Sequence, residues 1–221
     1  MAVELPALSL LETRVLGVLV EKQRTVPDTY PLTLNALVAG CNQKTSRDPV
    51  INASEADVQA TIDRLRGLAL VIESSGGRVM RYAHNVERVL AIPSQAVALL
   101  ATLMLRGPQT VAELRINCDR LHSFADVSAV EAFLHELAER TSGALVVELP
   151  RAPGARENRW MHLLSGPPAL PSGPVTAAAP DERLTVTEIA ALKATMSELR
   201  QELDALKTTV ARLSAALGEE P

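Results

Sequence analysis

The sequence predicts an α+β protein, mainly α-helical with small β-hairpins, in which two tandem winged helix-turn-helix domains precede a C-terminal coiled-coil helix. Three observations predict this fold: an internal repeat, a glycine-marked hairpin in the first copy, and a leucine-rich heptad pattern near the C-terminus. We expect a first winged-helix domain over residues 1–84, a second over 85–164, a linker rich in proline and alanine over 165–184, and the coiled-coil helix over 185–217.

The internal repeat is visible when the chain is laid on itself with an offset of roughly 75 residues. "TLNALVAGCN" from Thr33 then matches "TVAELRINCD" from Thr110, and "RYAH" from Arg81 matches "RWMH" from Arg159. Between these two pairs of segments, "LVIE" from Leu70 matches "LVVE" from Leu145. The matches are separated but keep their order, so we interpret the chain as two copies of one structural unit.

Each copy is predicted to contain three helices. The first helix, "LLETRVLGVLVEK" or "SQAVALLATLMLR", has apolar residues at helical spacing. The second helix is expected to start near Pro31 in the first copy and near Thr110 in the second. The third helix of the first copy is expected to start after Ser54, whose hydroxyl can accept a hydrogen bond from a backbone N–H that has no partner within the helix. The third helices should bury the following apolar residues: Val58, Ile62 and Leu65 in the first copy, and Val130, Leu134 and Leu137 in the second.

A β-hairpin is predicted to close each copy. In the first copy "LVIESS" and "RVMRYAH" flank Gly76-Gly77, and glycine adopts the positive φ angles of tight hairpin turns at little cost. In the second copy the strands are joined by the longer, basic "RAPGARENR". Three helices followed by a hairpin form a winged helix-turn-helix, with the hairpin as its wing.

Several of these segments resemble the YceH-like (UPF0502) family of bacterial proteins. The resemblance is carried by "YPLTLNAL", "CNQKTSRDPV", "LRGPQTVAELR" and "PGARENR", and it covers roughly residues 8–164. It implies a tandem winged-helix fold. We expect the segment beyond Ser165 to lie outside the resemblance.

The C-terminal segment carries the pattern of a coiled coil. A capping box, Thr185 with Glu188, precedes apolar residues that alternate three and four positions apart, which is the 3.5-residue repeat of a coiled-coil seam. We predict a parallel homodimer; the alternative is an amphipathic helix folded back on its own chain. The oligomerisation residues are predicted to be Ile189, Leu192, Met196, Leu199, Leu203, Leu206, Val210, Leu213 and Leu217.

Nothing in the sequence predicts catalysis, a metal or a cofactor. The chain has no GxGxxG, Walker-type, HExxH or GxSxG motif, and its aromatic content of 2% disfavours single-strand or RNA binding by base stacking. Cys118 and His122 stand four apart, but Cys118 matches Cys41 in the repeat, which favours two buried core cysteines. We expect a cytoplasmic protein with no membrane segment and no disulfide framework.

Two kinds of partner remain open, double-stranded DNA and another protein. The outward faces of the third helices carry carboxylates, which repel phosphates, and the net charge is −4. Acidic tandem winged-helix dimers of this kind resemble the small subunits of bacterial condensin complexes, which bind protein. The arginines near both hairpins favour a DNA-associated transcriptional regulator over such a scaffold. The residues predicted to contact nucleic acid or a partner are Asn42, Gln43, Lys44, Arg47, Arg78, Arg81, Arg151, Arg156 and Arg159.

The stretch "CNQKTSRDPV", residues 41–50, has two interpretations. In one, its polar side chains approach a partner, because loops longer than six residues are more often functional. In the other, its amides cap helix ends and Arg47 pairs with a carboxylate such as Asp48 or Asp57.

Overall fold

Seven α-helices and two small antiparallel sheets make up the part of the chain that the computed structural model describes, which is residues 5–75, 79–151 and 154–168. This confirms the α+β class. The predicted coiled-coil helix with its nine heptad residues, most of the linker, Gly76-Gly77 and Arg78 lie outside the described residues.

The two copies have the same order of elements. The first contains α1 (Leu10–Thr25), a 3₁₀ turn (Pro27–Thr29), β1 (Leu32–Thr33), α2 (Leu34–Cys41), α3 (Glu55–Gly67), β2 (Val71–Ser74) and β3 (Arg81–His84). A short helix, α4 (Val86–Leu90), connects the two copies. The second copy contains α5 (Ser94–Arg106), α6 (Val111–Cys118), α7 (Val127–Ala138), β4 (Val146–Glu148) and β5 (Trp160–His162).

Side-chain caps fix where the helices begin. Ser54 accepts from the backbone N–H of Asp57, whose carboxylate accepts from the N–H of Ser54, so the predicted cap of α3 is confirmed as a capping box. Thr110 and Glu113 form the same arrangement at α6. In the first copy the N-cap of α2 is Thr33, so this helix starts after Pro31 rather than at it.

The two sheets also repeat. In the first, the strand order is β1-β3-β2, and Tyr82 pairs with Leu32 on one side and Glu73 on the other. In the second, β4 pairs with β5, and Trp160 makes a further antiparallel bridge to Gln109. The second copy therefore keeps the three-stranded arrangement with a single bridge in place of β1.

One continuous hydrophobic cluster runs through both copies. Helices α1 and α5 pack against each other at its centre, and a Cβ atom added at Gly17 of α1 would lie 2.8 Å from Cγ of Leu105. The two copies therefore share one core. The residues predicted to line α3 and α7 are confirmed as buried: Val58, Ile62, Leu65, Val130, Leu134 and Leu137.

Candidate interaction surface

The polar loop, residues 42–53, joins α2 to α3 and is closed by Asn42. The side-chain amide of Asn42 donates to the carbonyl of Ala53 at 2.9 Å, and its oxygen accepts from the N–H of Ala53 at 2.7 Å. Both ends of the loop are thereby held together just before Ser54 caps α3. The amide thus has a structural role, as one of the two interpretations of this stretch expects.

Arg47 is buried within the loop and binds a carboxylate on α1. Its side chain makes two hydrogen bonds to Glu21, with Nη2 at 2.6 Å from Oε2 and Nη1 at 3.1 Å from Oε1. Its Nε donates to the carbonyl of Gly40. Burial alone would raise the pKa of Glu21, but the hydrogen bonds and charge of Arg47, with Lys22, lower it overall. The ion-pair partner is Glu21 rather than Asp48 or Asp57.

A second buried arginine supports the loop from below. Arg14 of α1 is fully buried, and it donates to the carbonyls of Cys41 at 3.1 Å and Pro49 at 2.7 Å. Burial, followed by the charge of Arg47, lowers the pKa of Arg14. Arg14 and Glu21 were not predicted from the sequence, although charged residues inside the apolar pattern of α1 were an available signal.

The polar loop also contacts the second copy. The N–H of Asp48 donates to the carbonyl of Leu105 at 2.8 Å, and Nη2 of Arg106 donates to Oγ of Ser46 at 2.7 Å. These bonds satisfy groups at the C-terminal end of α5, where the carbonyls have no partner within the helix. The loop is therefore part of the joint between the two copies.

Two residues of the loop remain closer to solvent. Lys44 is exposed and has no ion pair within the described residues. Gln43 is half-buried; it donates to Thr45 at 3.2 Å and accepts longer bonds from Lys22 and Arg47. Among the four predicted contact residues of this stretch, Lys44 has the side chain best placed to meet a partner.

Two arginines at equivalent places, Arg81 as the first residue of β3 and Arg159 directly before β5, bind equivalent backbone groups. Arg81 donates to the carbonyl of Pro31 at 2.8 Å and to that of Thr29 at 3.2 Å. Arg159 donates to the carbonyl of Pro108 at 2.7 Å and pairs with Glu113 at 3.0 Å. Both side chains stay partly exposed, but in each copy they anchor the segment that precedes the second helix.

Arg151 and Arg156 lie on the connection between β4 and β5. Both are exposed, and neither has a hydrogen bond or ion pair to any other residue that the structure describes. With Lys44 they are the predicted cationic contacts that are not engaged internally over the described ranges.

The outward faces of the third helices carry carboxylates. The following residues are exposed there: Ala56, Asp57, Ala60, Asp63 and Arg64 on α3, and Ser128, Ala132, His135, Glu136 and Glu139 on or directly after α7. Nε of Arg64 lies 3.1 Å from Glu12, and Nη2 of Arg66 lies 2.6 Å from Glu73, so the positive charges of α3 are paired. Helix α7 contains no lysine or arginine.

An apolar groove of about 450 Å³ lies beside the start of α3. We call it the hairpin groove, and it is lined by Thr33, Leu34, Asn35, Glu55, Val79, Met80 and Tyr82. Val79 is 57% exposed and Met80 41% exposed. This groove was not predicted from the sequence, although the apolar pair Val79 and Met80 within "RVMRYAH" was a signal that this hairpin is not wholly basic.

Cys41, Cys118 and His84 are buried, and His162 is half-buried. Burial raises the pKa of Cys41 to about 12 and that of Cys118 to about 11, so both thiols stay protonated at neutral pH. Burial lowers the pKa of His84 and of His162 to about 4. The interpretation of both cysteines as core residues is confirmed. No group of three potential metal ligands occurs among the described residues.

The described part of the chain is an α+β protein whose candidate surface combines internally bonded arginines, exposed carboxylates and one apolar groove. Within it, no helix is both long and apolar enough to cross a bilayer. Comparison with known proteins places this chain: residues 8–155 match the family described as "Protein of unknown function, DUF480".

Three relatives show how far the similarity extends. A UPF0502 protein of Dechloromonas aromatica (strain RCB) is 60% identical over 207 residues, which cover 94% of this chain and 96% of the relative. A UPF0502 protein of Cupriavidus taiwanensis is 62% identical, covering 92% and 81%. A UPF0502 protein of Burkholderia ambifaria is 58% identical, covering 94% and 88%. The chain belongs to the UPF0502 family, and the resemblance seen in its sequence is confirmed.

The similarity reaches further along the chain than expected. The 207 residues matched by the Dechloromonas aromatica relative exceed the number that precede Ser165, so part of the C-terminal segment must be included. The expectation that the resemblance ends before Ser165 is therefore wrong for this relative.

Proposed function

We propose that the chain consists of two winged-helix units that act in protein–protein interaction rather than catalysis. The repeated order of three helices and an antiparallel strand pair supports the winged-helix assignment. The buried, protonated cysteines Cys41 and Cys118 suit the reducing cytoplasm as the place of action.

One observation favours a protein partner over DNA. A winged helix that reads DNA places its third helix in the major groove, where phosphates flank it on both sides. Here α3 exposes Asp57 and Asp63 while its arginines are paired with carboxylates, and α7 exposes Glu131 and Glu136 and contains no lysine or arginine. Such faces repel a phosphate backbone and attract a basic protein surface.

The hairpin groove is proposed as the contact site in the first unit. Its apolar walls, Leu34, Val79 and Met80, can take an apolar side chain, and Glu55 at its edge can accept from a cation. The occupant that fits is a peptide segment of another protein in which an apolar residue is flanked by lysine or arginine. Charge complementarity with the neighbouring Asp57 would add to its association rate.

A change in the hairpin groove should abolish partner binding. We expect Met80→Glu to reduce recovery of a partner by about tenfold or more, because it places a charge in the apolar part of the contact. Ile116→Glu is the matched control, since Ile116 of α6 is 72% exposed and lies outside the groove. The measurement is affinity capture from lysate with the full chain and quantitative mass spectrometry, with and without nuclease.

Two results would contradict this proposal. One is that wild-type protein recovers no nuclease-resistant partner. The other is that Met80→Glu and Ile116→Glu recover the partner equally. If Met80→Glu lowers the thermal unfolding midpoint so far that the loss of binding reflects unfolding, Val79→Glu replaces it and must show the same selective loss.

The second candidate function is that of a DNA-associated transcriptional regulator, and a specific observation favours it. Lys44, Arg151 and Arg156 are exposed and unpaired within the described ranges, and such groups can neutralise phosphates. If DNA is the partner, a gel shift should weaken steeply with salt, and removing each true phosphate contact should reduce the slope of log K against log salt by about 0.9. Arg88→Ala removes the same charge from α4 and serves as the control.

We further propose that the chain acts as a parallel homodimer through residues 185–217. The support is the uninterrupted apolar heptad pattern in the sequence. We expect the double substitution Leu199→Asp and Leu203→Asp to convert the dimer to a monomer, because each helix would bring two charges into the seam. Sedimentation equilibrium of the full chain measures the change.

The control for the dimer is Thr208→Asp, which lies at an outer heptad position and should leave the mass of the particle unchanged. A monomeric wild-type protein at micromolar concentration would contradict dimerisation. A dimer that persists in the double variant would instead mean that other residues form the interface.

A further inference from the structure

A large cleft lies between the two copies, away from the polar loop and the hairpin groove. It has a volume of about 840 Å³, within the range of about 300–1,000 Å³ typical of small-molecule sites. On one side it is bounded by the end of α3 and by α4, and on the other by the segment after α7 and the segment after β5. We call it the inter-copy cleft.

The walls of the inter-copy cleft are apolar. Leu68 and Val89 contribute from the first copy and the connecting helix, and Leu145 and Leu163 contribute from the second copy. Small and apolar residues make up most of the remaining lining. A ligand with an apolar body would therefore remove apolar surface from water on both sides of the cleft.

The charged side chains that line the inter-copy cleft are all positive. Its lining contains Arg88 and Arg140 but no aspartate, glutamate, histidine or lysine, although the whole chain has a net charge of −4. Arg88 has no hydrogen bond or ion pair to any described residue. The cleft thus concentrates positive charge that no carboxylate in its own lining offsets.

Arg140 adds a second positive charge to the lining of the cleft. Its Nη2 donates to the carbonyl of Leu90 and to Oγ of Ser142, both at 2.7 Å, which fixes the plane of the guanidinium. Its Nη1 is buried, has no acceptor within the described residues and is closed off from the cleft. Arg140 therefore offers a ligand in the cleft the positive charge of a guanidinium that is held in place.

We propose that the inter-copy cleft binds a small amphiphilic carboxylate, with its carboxylate between Arg88 and Arg140 and its apolar body against the leucine walls. Arginine is well suited to this role because its planar guanidinium can donate two hydrogen bonds to one carboxylate. Such a ligand would touch both copies at once. It would therefore favour whichever arrangement of the two copies it binds more tightly.

Binding of decanoate to the full chain tests this inference by calorimetry. We expect saturable binding with one site per chain, much weaker binding of acetate, which lacks the apolar body, and none of decyltrimethylammonium, which has the opposite charge. Arg88→Gln and Arg140→Gln should each weaken decanoate about tenfold or more, because each removes a positive charge from the lining of the cleft. Ala144→Trp, which fills the cleft from its lining, should abolish binding.

Arg120→Gln is the matched control, because it removes an exposed arginine outside the cleft and should leave the affinity unchanged. Arg140→Gln also loses two bonds that hold the cleft together, so Arg88→Gln and Ala144→Trp decide the question if that variant does not fold. The inference is overturned if decanoate shows no saturable binding at about millimolar concentration. Equal binding of the cationic amphiphile, or unchanged binding by Ala144→Trp, would overturn it as well.

Discussion

Replacing Arg47 by alanine is expected to lower the free energy of unfolding by about 3 kcal/mol, towards the lower end of the range for breaking a buried ion pair. The substitution leaves the Glu21 carboxylate, whose side chain is only 14% exposed, without its main partner. It also leaves the carbonyl of Gly40 without the Nε donor. Lys22, 3.3 Å from Glu21, can compensate in part, which is why the upper end of the range is not expected.

Urea unfolding followed by circular dichroism at neutral pH measures this loss. Lys44→Ala is the matched control, because it removes a nearby positive charge that is exposed, and it should change the free energy by no more than about 0.5 kcal/mol. Combining Arg47→Met with Glu21→Met should recover part of the loss, since neither partner is then left charged and unpaired. A loss below about 1 kcal/mol for Arg47→Ala would mean that the pair is not buried in solution.

The structural role of Arg47 also decides how binding experiments on the polar loop should be designed. A variant that combines Lys44→Ala with Arg47→Ala would lose binding through destabilisation even if the loop touches no partner. Lys44 alone is informative, because its side chain is exposed and its removal leaves the buried pair intact. The long, polar loop is therefore explained mainly by its anchoring contacts to α1 and α5.

The helices and strands with a clear periodic pattern could be predicted from the sequence. The buried stripe of α3 and its capping box at Ser54 follow from a 3.6-residue spacing and from the chemistry of one hydroxyl. Two elements could not be predicted. β1 has two residues and α4 has five, too few to show a period that separates them from a loop.

The candidate surface was harder to predict than the fold, because its polar residues depend on contacts between distant parts of the chain. The sequence identified Arg47 as unusual, but its partner Glu21 is 26 residues away, whereas the expected partners were close in sequence. Arg81 and Arg159 were recognised as a repeated pair. Their bonds to the carbonyls of Pro31 and Pro108 depend on tertiary packing, which periodicity does not encode.

The close packing of α1 against α2, α3 and α5 could not be predicted from the sequence either. A one-sided apolar stripe predicts one covered face, but Val15 to Val20 are buried on all sides, because α2 and α3 cover one part of α1 and α5 covers another. Gly17 lies where α5 closely approaches α1, and Gly40 lies where α2 closely approaches α1. These contacts make glycine substitutions a sensitive test of the shared core.

Substitution of Gly40 by alanine is expected to destabilise the protein by about 1–3 kcal/mol. A Cβ atom there would lie 2.5 Å from Cγ1 of Val18, and valine in a helix has little freedom to rotate away. The same change at Gly67 of α3, where a Cβ would meet nothing within 4 Å, should instead stabilise by up to about 1 kcal/mol through helix propensity. Thermal and urea unfolding of both variants measure whether Gly40→Ala lowers, and Gly67→Ala raises, the free energy of unfolding.

A double-mutant cycle isolates the contact between α2 and α1. Val18→Ala removes the methyl group that a new Cβ at position 40 would strike, so Gly40→Ala should cost at least about 1 kcal/mol less in the Val18→Ala background than in the wild type. Additive effects of the two substitutions would mean that α2 does not approach α1 at this point. Because Gly40 also supplies the carbonyl that Arg47 binds, a displaced α2 should weaken the Arg47–Glu21 pair too, and the two stability predictions should then prove coupled.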